Sequence, residues 1–388
     1  MVQLILTLNS GSSSLKYALF DYTSSNLELL TSGKIELTIS SKPEATLTIA
    51  VKEVLERLSQ TKHLSSGSIT AIGCRVVHGG HRFVAPTIIS VDTLAEIRSL
   101  GILAPLHNPL AADVIENCTK VFPEIPAVAV FDTAFHQSIP AVASTYAIPQ
   151  TLSASNHIRR YGFHGIAHQQ VSERLQTILG HSPLPSRLIT CHLGNGASVC
   201  AVLNGQSIDT SMGFTPMEGL IMGSRSGDID PGLVLYMLNE LNLSASEVDH
   251  LLNHQSGLLG LSGISNDVRF LDEQVLKGNH AAEFALECFA YRVAKYIGAY
   301  ISVLNGVDAV AFSGGVGENS SPMRERITKR LGCFGFELDI EANHLASGKE
   351  AACITLSKGR SSAWVIHANE ELQIAKETSS LMQKYFCN

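Results

Sequence analysis

The sequence predicts a mixed α/β protein built from two related halves, and three observations lead there. First, Leu4–Phe20, LILTLNSGSSSLKYALF, reads as strand, tight polar turn, strand. An apolar run from Leu4 to Leu8 ends in a turn of Asn, Gly and four serines, and Lys16 then leads into a second apolar run from Tyr17 to Phe20. Second, Arg187–Val202, RLITCHLGNGASVCAV, repeats the design about half a chain later, with His192–Gly196 in the place of Asn9–Ser12. Third, strand-like and helix-like segments alternate along the chain, which implies layered sheets and helices. The repeated hairpin suggests two half-molecules facing each other over a nucleotide.

The remaining elements follow in order. Glu44–Ser59 has helical periodicity, with Leu47, Val51, Val54, Leu55 and Leu58 on one face. Ile69–Val77 reads as a strand, Thr93–Leu100 as a helix and Ala104–Pro109 as a loop. Ala127–Asp132 is a buried strand that runs into Asp132-Thr133-Ala134-Phe135-His136. Ile166–Ile178 is helical, and Pro183-Leu184-Pro185 marks a loop before the second hairpin. Leu233–Leu241, Ser246–Leu252 and the long Ala281–Leu304 read as helices. The apolar run Val307–Phe312 precedes a third glycine turn, Ser313–Asn319, and Glu370–Phe386 closes as a helix. The domain boundary is expected in the loop at 137–150, around Pro140 and Pro149.

Composition bounds the function. A chain of 388 residues favours two domains over one. Hydrophobic residues at 45% and charged ones at 16% supply a sizeable core and argue against disorder. A net charge of −7 and a pI near 6.1 argue against nucleic acid or an anionic membrane as partners. The eight cysteines form no C-x-x-C pair and read as reduced thiols in a cytosol. The chain opens on a strand rather than a signal peptide, and no run of apolar residues is long enough to span a membrane.

Small residues let backbone N–H groups approach an anion, and hydroxyls and a Lys add donors and charge. The first hairpin tip therefore suits a phosphate, although no G-x-x-x-x-G-K-[ST] occurs. Taken singly, each glycine turn is equally a plain turn. Arg75 stands at a strand end in RVVHGG, and Arg225 stands in the long Gly-rich stretch Asp209–Pro231. Each reads either as a surface charge or as a planar fork held against phosphoryl oxygens, and two on separate segments meet the need of a transferring phosphoryl group. Asp132, ending a buried run, is either a cap or a magnesium-shell or substrate-positioning carboxylate. His164 and His168 stand at i and i+4. Zinc, a lone oxyanion donor and a packed core histidine are the three readings, and Gly165 stands where H-E-x-x-H needs its Glu.

With these residues in hand the chain resembles the acetate and propionate kinase family, within the sugar kinase, heat-shock chaperone and actin superfamily. The resemblance runs end to end, through NSGSSSLKY, RVVHGG, LAPLHNP, FDTAFHQ, YGFHG, CHLGNGAS, FTPMEGLIMGSRSGDIDPG, SNDVR, FSGGVGENS and ANEEL. Ser10 replaces the usual Ala, and Ser224 the common Thr. The resemblance implies two actin-like, ribonuclease H-like domains with mixed sheets flanked by helices and a nucleotide in the cleft between them. Residues 1–140 with 371–388 would form the N-terminal domain and 141–370 the C-terminal one. It implies reversible phosphoryl transfer between ATP and acetate, giving acetyl phosphate and ADP, with magnesium or manganese, in a cytoplasmic homodimer.

Carried over by position, Asn9 and Glu370 match residues that engage the metal. Ser12, Ser14 and Lys16 match the first phosphate hairpin, and His192, Leu193, Gly194, Asn195 and Gly196 the second. Asp267, Val268 and Arg269 fall in the adenosine region, and Gly314, Gly315, Val316, Gly317 and Asn319 close over the nucleotide. Asp132, Arg75, Arg225 and His164 match the catalytic set, with His164 and Arg225 at the transition state. Arg75, Val77, Leu106, Phe163 and Pro216 match the substrate pocket. Two other readings stand against this one: a non-catalytic actin-like nucleotide-binding module, and a zinc hydrolase around His164 and His168.

Overall fold

The computed structural model describes residues 2–11, 14–23, 27–37, 43–61, 67–105, 107–180, 186–356 and 361–387. It divides into two units. The first comprises Met1–Gln137, His164–Ala167 and Asn369–Asn388, and the second Ser138–Phe163 and His168–Ala368. Ser12 and Leu106, two of the expected site residues, lie outside the described residues.

The first unit is built on a six-stranded sheet in the order β3-β2-β1-β4-β6-β5. Its strands are β1 (Val2–Ser10), β2 (Ser14–Asp21), β3 (Glu28–Glu36), β4 (Gly67–Val76), β5 (Thr87–Ile88) and β6 (Ala127–Phe131). The pairs β1–β2 and β2–β3 are antiparallel, while β1–β4 and β4–β6 are parallel. The near-continuous apolar run of β1 follows from burial on both faces. Leu4, Leu6 and Leu8 pack into one cluster with Val51, Val54, Ala112 and Ile115, from α1 (Pro43–Ser59) and α2 (Asn108–Val121). Ile5 points the other way, into a cluster with Ile374, Ala375 and Met382 of α3 (Glu370–Cys387). Period-two alternation thus serves two cores at once.

The second unit repeats the topology. Its strands are β7 (Arg187–Leu193), β8 (Ala197–Leu203), β9 (Gln206–Thr210), β10 (Ala309–Ser313), β11 (Ala351–Cys353) and β12 (Ser362–Ile366), ordered β9-β8-β7-β10-β12-β11. Again the hairpin strands are antiparallel, and the first pairs in parallel with the next. The helix His280–Val303 buries Ala282, Leu286, Phe289, Val293, Ile297 and Tyr300 at helical spacing, and Asn279 caps it by accepting from the Ala282 N–H.

Three local readings change. Ala104–Pro109, expected as loop throughout, already enters α2 at Asn108, because Pro109 occupies the first turn, where its missing N–H is no loss. The strand β3 is added at the sheet edge; its mostly exposed residues lack a clean alternation, and pairing with β2 decides it. The third glycine turn is instead a short helix, Gly314–Asn319. Gly314 takes φ +75°, and a Cβ there would crowd the Leu193 backbone, so the chain turns directly from β10 into the helix.

Gly73 of β4 shows how tightly α3 lies on the first sheet: a methyl group there would overlap Thr378 Oγ1 and Ile374 Cγ2. Gly73→Ala is expected to destabilise the protein by about 1–3 kcal/mol through overpacking. Urea denaturation checks this, and an unchanged midpoint contradicts it.

Candidate active site

In the first unit, four strand and helix ends bring polar groups together. Asn9 is near the end of β1, Arg75 is the penultimate residue of β4, Asp132 stands directly after β6, and Glu370 and Glu371 open α3. Arg75 donates from Nη2 to Asp132 Oδ2 at 2.6 Å, and from Nε to Oδ1 and Oδ2 at 3.1 and 3.2 Å. Its Nη1 donates to Asn9 Oδ1 at 3.2 Å. Asn9 Nδ2 in turn donates to Glu370 Oε2 at 2.8 Å and Glu371 Oε1 at 3.1 Å. Asp132, Arg75, Asn9 and the two glutamates therefore form one hydrogen-bonded row.

Burial shapes this row electrostatically. It works against the Arg75 charge, but Asp132, Glu370 and Glu371 outweigh it and hold the guanidinium above its ordinary pKa. Burial also pushes the Asp132 carboxyl upward, opposed by Arg75 and reinforced by Glu370. The loop after β4 is fixed from two sides. Asn108, fully buried, accepts from the His78 N–H and donates to the His78 carbonyl, and Thr133 Oγ1 accepts from the Gly79 N–H. Val77, between Arg75 and this anchor, is buried. His164 takes φ +57°, and the Gly165 N–H then donates to the Asp132 carbonyl at 3.0 Å. A Cβ at Gly165 would overlap that carbonyl, so His164 is held one residue from Asp132's backbone.

The i, i+4 histidines do not share a helix face. His164 precedes the helix Gly165–Leu179, and His168 is inside it. The two ring nitrogens of His168 meet the hydroxyls of Thr190 and Ser198, each at 2.7 Å. That imidazole is engaged in the core and turned from zinc chemistry.

In the second unit, three predicted segments converge. Gly194 and Asn195 of the β7–β8 turn, Asp267, Val268 and Arg269, and Gly315, Val316 and Asn319 line one cavity of about 440 Å³, joined by Asn266 and Ser320. That volume lies in the range of small-molecule sites. Asn266 Nδ2 donates to Asn195 Oδ1, Asp267 caps the helix Val268–Leu276, and the exposed Arg269 pairs with Asp267. His192 sits below, with Nδ1 at 3.4 Å from Ser313 Oγ. Leu193, Gly314 and Gly317 are buried, supporting this lining rather than forming it. Gly196 closes the turn by accepting from the Gly194 N–H. In the first unit, Lys16 is exposed and lies across from Asn9 in the β1–β2 register, and the Ser14 carbonyl accepts from the Gly11 N–H.

Arg225 lies in the irregular stretch that follows β9. Its Nη1 donates to the Pro216 carbonyl at 3.1 Å and approaches Met222 Sδ at 3.8 Å. Among the described residues it pairs with no carboxylate, and burial alone lowers its pKa. A desolvated cation in that state favours an anion brought by a ligand. Arg324 makes the contrast. It is fully buried, with donors satisfied by the carbonyls of Gly317, Glu318 and Asn343 and by Asn343 Oδ1, and its pKa is pushed down to about 10. Arg324 braces the Gly314–Asn319 helix, whereas among the described residues the Arg225 fork meets one carbonyl and one thioether.

These observations meet in the comparisons. The chain matches the Acetokinase family over residues 4–376. It belongs to that family. It is 46% identical to the acetate kinase of Deinococcus radiodurans over 392 residues, 97% of this chain and 98% of the relative. It resembles the crystal structure of Porphyromonas gingivalis acetate kinase with TM-score 0.86 at 35% identity, covering 98% of this chain and 100% of that one. The propionate kinase from Francisella tularensis gives TM-score 0.85 at 39% identity, covering 97% and 99%. The two repeated units are accordingly actin-like domains of this family.

Sequence reasoning missed Glu371, Asn108 and Asn266. Each adjoins a flagged residue or stands inside a recognised block (ANEEL, LAPLHNP, SNDVR), and those blocks are the signal that could have found them.

The Arg75–Asp132 pair generates a test. Asp132→Ala leaves a largely enclosed guanidinium, 15% exposed, without its main partner and is expected to cost about 3 kcal/mol of stability. Adding Arg75→Met should recover part of that loss, since the guanidinium that Asp132 paired is then gone as well. Chemical denaturation of the single and double variants checks it; additive losses contradict a coupled pair.

Proposed function

We propose that the chain catalyses reversible, metal-dependent phosphoryl transfer between ATP and acetate, producing acetyl phosphate and ADP. The observation that carries the reading is Arg225, a partly buried guanidinium that meets no carboxylate among the described residues. Family membership supplies the reaction class. A carboxylate is already a competent nucleophile, so the site needs positioning and charge neutralisation more than a general base. Arg75 and Arg225 answer the charge that spreads over the transferring phosphoryl oxygens. Asp132 fixes the Arg75 fork in one orientation, and His164 donates toward the developing charge. The cavity bounded by Asn195, Asp267 and Gly315 takes the nucleotide, with Ser12, Ser14 and Lys16 as further phosphate donors. The resemblance assigns Val77, Leu106, Phe163 and Pro216 to the acetate methyl.

The donor set beside Asn9 fits a hard cation. Carboxylate oxygens of Glu370 and Glu371 converge on one amide, with Asp132 beyond Arg75 and no thiolate among the hydrogen-bonded groups. Magnesium, or manganese in its place, would be held by Glu370 with Asn9 and completed by water and phosphate oxygens. When bound, it neutralises charge on the nucleotide phosphates. A homodimeric, cytosolic enzyme extends the reading from the resemblance; the free buried thiols of Cys74, Cys118, Cys191 and Cys200 accord with a reducing compartment. Among the described residues no helix is long and apolar enough to cross a membrane.

The direct experiment is a hydroxamate assay for acyl phosphate with acetate, propionate and butyrate side by side. A purified sample that binds ATP yet makes no acyl phosphate overturns the reading. Arg75→Ala and Arg225→Ala are each expected to lower kcat by roughly 10³-fold, as for other arginines that stabilise phosphoryl-transfer charge. EDTA should abolish turnover and magnesium restore it.

Substrate size supplies another test. One methylene in an apolar pocket is worth only about 1–3 kcal/mol, so acetate should be favoured over propionate by a modest factor. Val77→Ala should shift kcat/KM toward propionate. A lowered melting temperature with an unchanged acetate-to-propionate ratio would remove Val77 from the pocket.

A further inference from the structure

The second unit contains a charged cluster that the reaction does not use. Arg160 Nη1 donates to three consecutive carbonyls, Thr210, Ser211 and Met212, at 3.1, 3.2 and 3.1 Å. Its Nη2 donates to Glu218 Oε1, and the other oxygen of that carboxylate accepts from the Tyr146 hydroxyl. The same hydroxyl oxygen accepts from the Phe214 N–H at 2.8 Å. Arg160 and Glu218 are mostly enclosed, with side chains 17% and 30% exposed, and the Arg160 guanidinium also lies 5.8 Å from the centre of the Tyr146 ring.

Gly213 stands at the centre. A Cβ there would overlap both the Glu218 carboxylate and the Tyr146 hydroxyl, so the backbone has to be glycine for the cluster to close. The Gly213 carbonyl accepts from the N–H groups of Tyr161 and Gly162, at 3.1 and 3.2 Å. Two chain segments are thereby tied together. One ends in Phe163 and the other continues through Phe214 to Pro216, whose carbonyl receives Arg225. Burial and Glu218 both push the Tyr146 phenol upward, so it stays a protonated donor at neutral pH.

We propose that Arg160, Glu218 and Tyr146 act as positioning residues that set the separation of Phe163 and Pro216, and with it the acyl-chain selectivity of the site. The proposal rests on the reading of Phe163, Pro216 and Arg225 as substrate-site residues. The three groups touch no reacting atom. They act through Gly213 and Phe214, on the backbone of both pocket segments. Lys cannot replace Arg160, because one ammonium cannot serve three carbonyls and a carboxylate in a planar arrangement.

The test uses Tyr146→Phe, Glu218→Gln and Arg160→Lys in the full-length enzyme. KM and kcat are measured for acetate, propionate and ATP beside a melting curve. The first two variants keep shape and remove one partner each, so a failure of Arg160→Lys to fold leaves the question answerable. Tyr146→Phe and Glu218→Gln are expected to lower kcat/KM for acetate by about tenfold or more, since small misplacements of a bound substrate are worth up to ~10² in rate. They should also shift the acetate-to-propionate ratio several-fold and leave the KM for ATP within about twofold. A lowered melting temperature with kcat/KM for acetate and the acetate-to-propionate ratio both unchanged overturns the proposal, as does an equal rise in KM for ATP and acetate. Arg225→Ala is measured in parallel. If it retains activity, the substrate-site reading falls and takes this proposal with it. If it is inactive while the two conservative variants are kinetically silent, only the positioning role falls.

Discussion

A guanidinium cannot lose its water without gaining partners, and this structure answers that constraint in three ways. Arg75 is given a carboxylate, Asp132, and two further acidic neighbours through Asn9. Arg324 is given only neutral oxygens, enough to seat it at full burial, although its pKa falls. Among the described residues Arg225 is given one carbonyl and a thioether. The three environments sort three chemically identical side chains into different work. A fully satisfied arginine braces a helix, a carboxylate-paired one is held in a single orientation, and an under-satisfied one favours an incoming anion.

The repeated topology supplies the places where these groups stand. In each unit the hairpin strand that opens the sheet also pairs in parallel with the next strand, so the turn after the first strand and the end of the second emerge side by side. In the first unit that juxtaposition joins Asn9 to Arg75. In the second it joins the Gly194–Gly196 turn to Ser313 and the Gly314–Asn319 helix that follows. Ligand sites at strand ends of α/β sheets arise from such openings. The same scaffold holds a carboxylate row in one unit and, in the other, a cavity lined by glycines, amides and the Asp267–Arg269 pair, because the residues at equivalent strand ends differ.

Much of this was legible along the chain. The two hairpins declared themselves because glycine and serine turns between apolar runs are local signals, and α3 and the helix His280–Val303 because their apolar spacing is long and regular. Asn9, Arg75, Asp132, Arg225 and Glu370 each stood out beside a glycine turn, at the end of an apolar run or inside a recognised block. The edge strand β3 and the start of α2 did not. The first depends on the open edge of β2, and the second begins with Asn-Pro, a pair that reads equally as a turn.

The sequence by itself determined the fold class, the repeated hairpin and the identity of the charged and glycine-rich segments, since these follow from periodicity and from the conformational freedom of single residues. Only the tertiary structure decided which of them are partners. Asn9 and Glu370 are 361 residues apart, and Arg75 and Asp132 are 57 apart, yet they share one hydrogen-bonded row. Arg160 and Tyr146 lie outside the recognised blocks and Glu218 inside one, and the three meet only because Gly213 leaves room. A hydrogen bond depends on distance in space, which sequence separation does not encode. Whether a buried charge is braced, paired or left available is therefore a property of the packed chain.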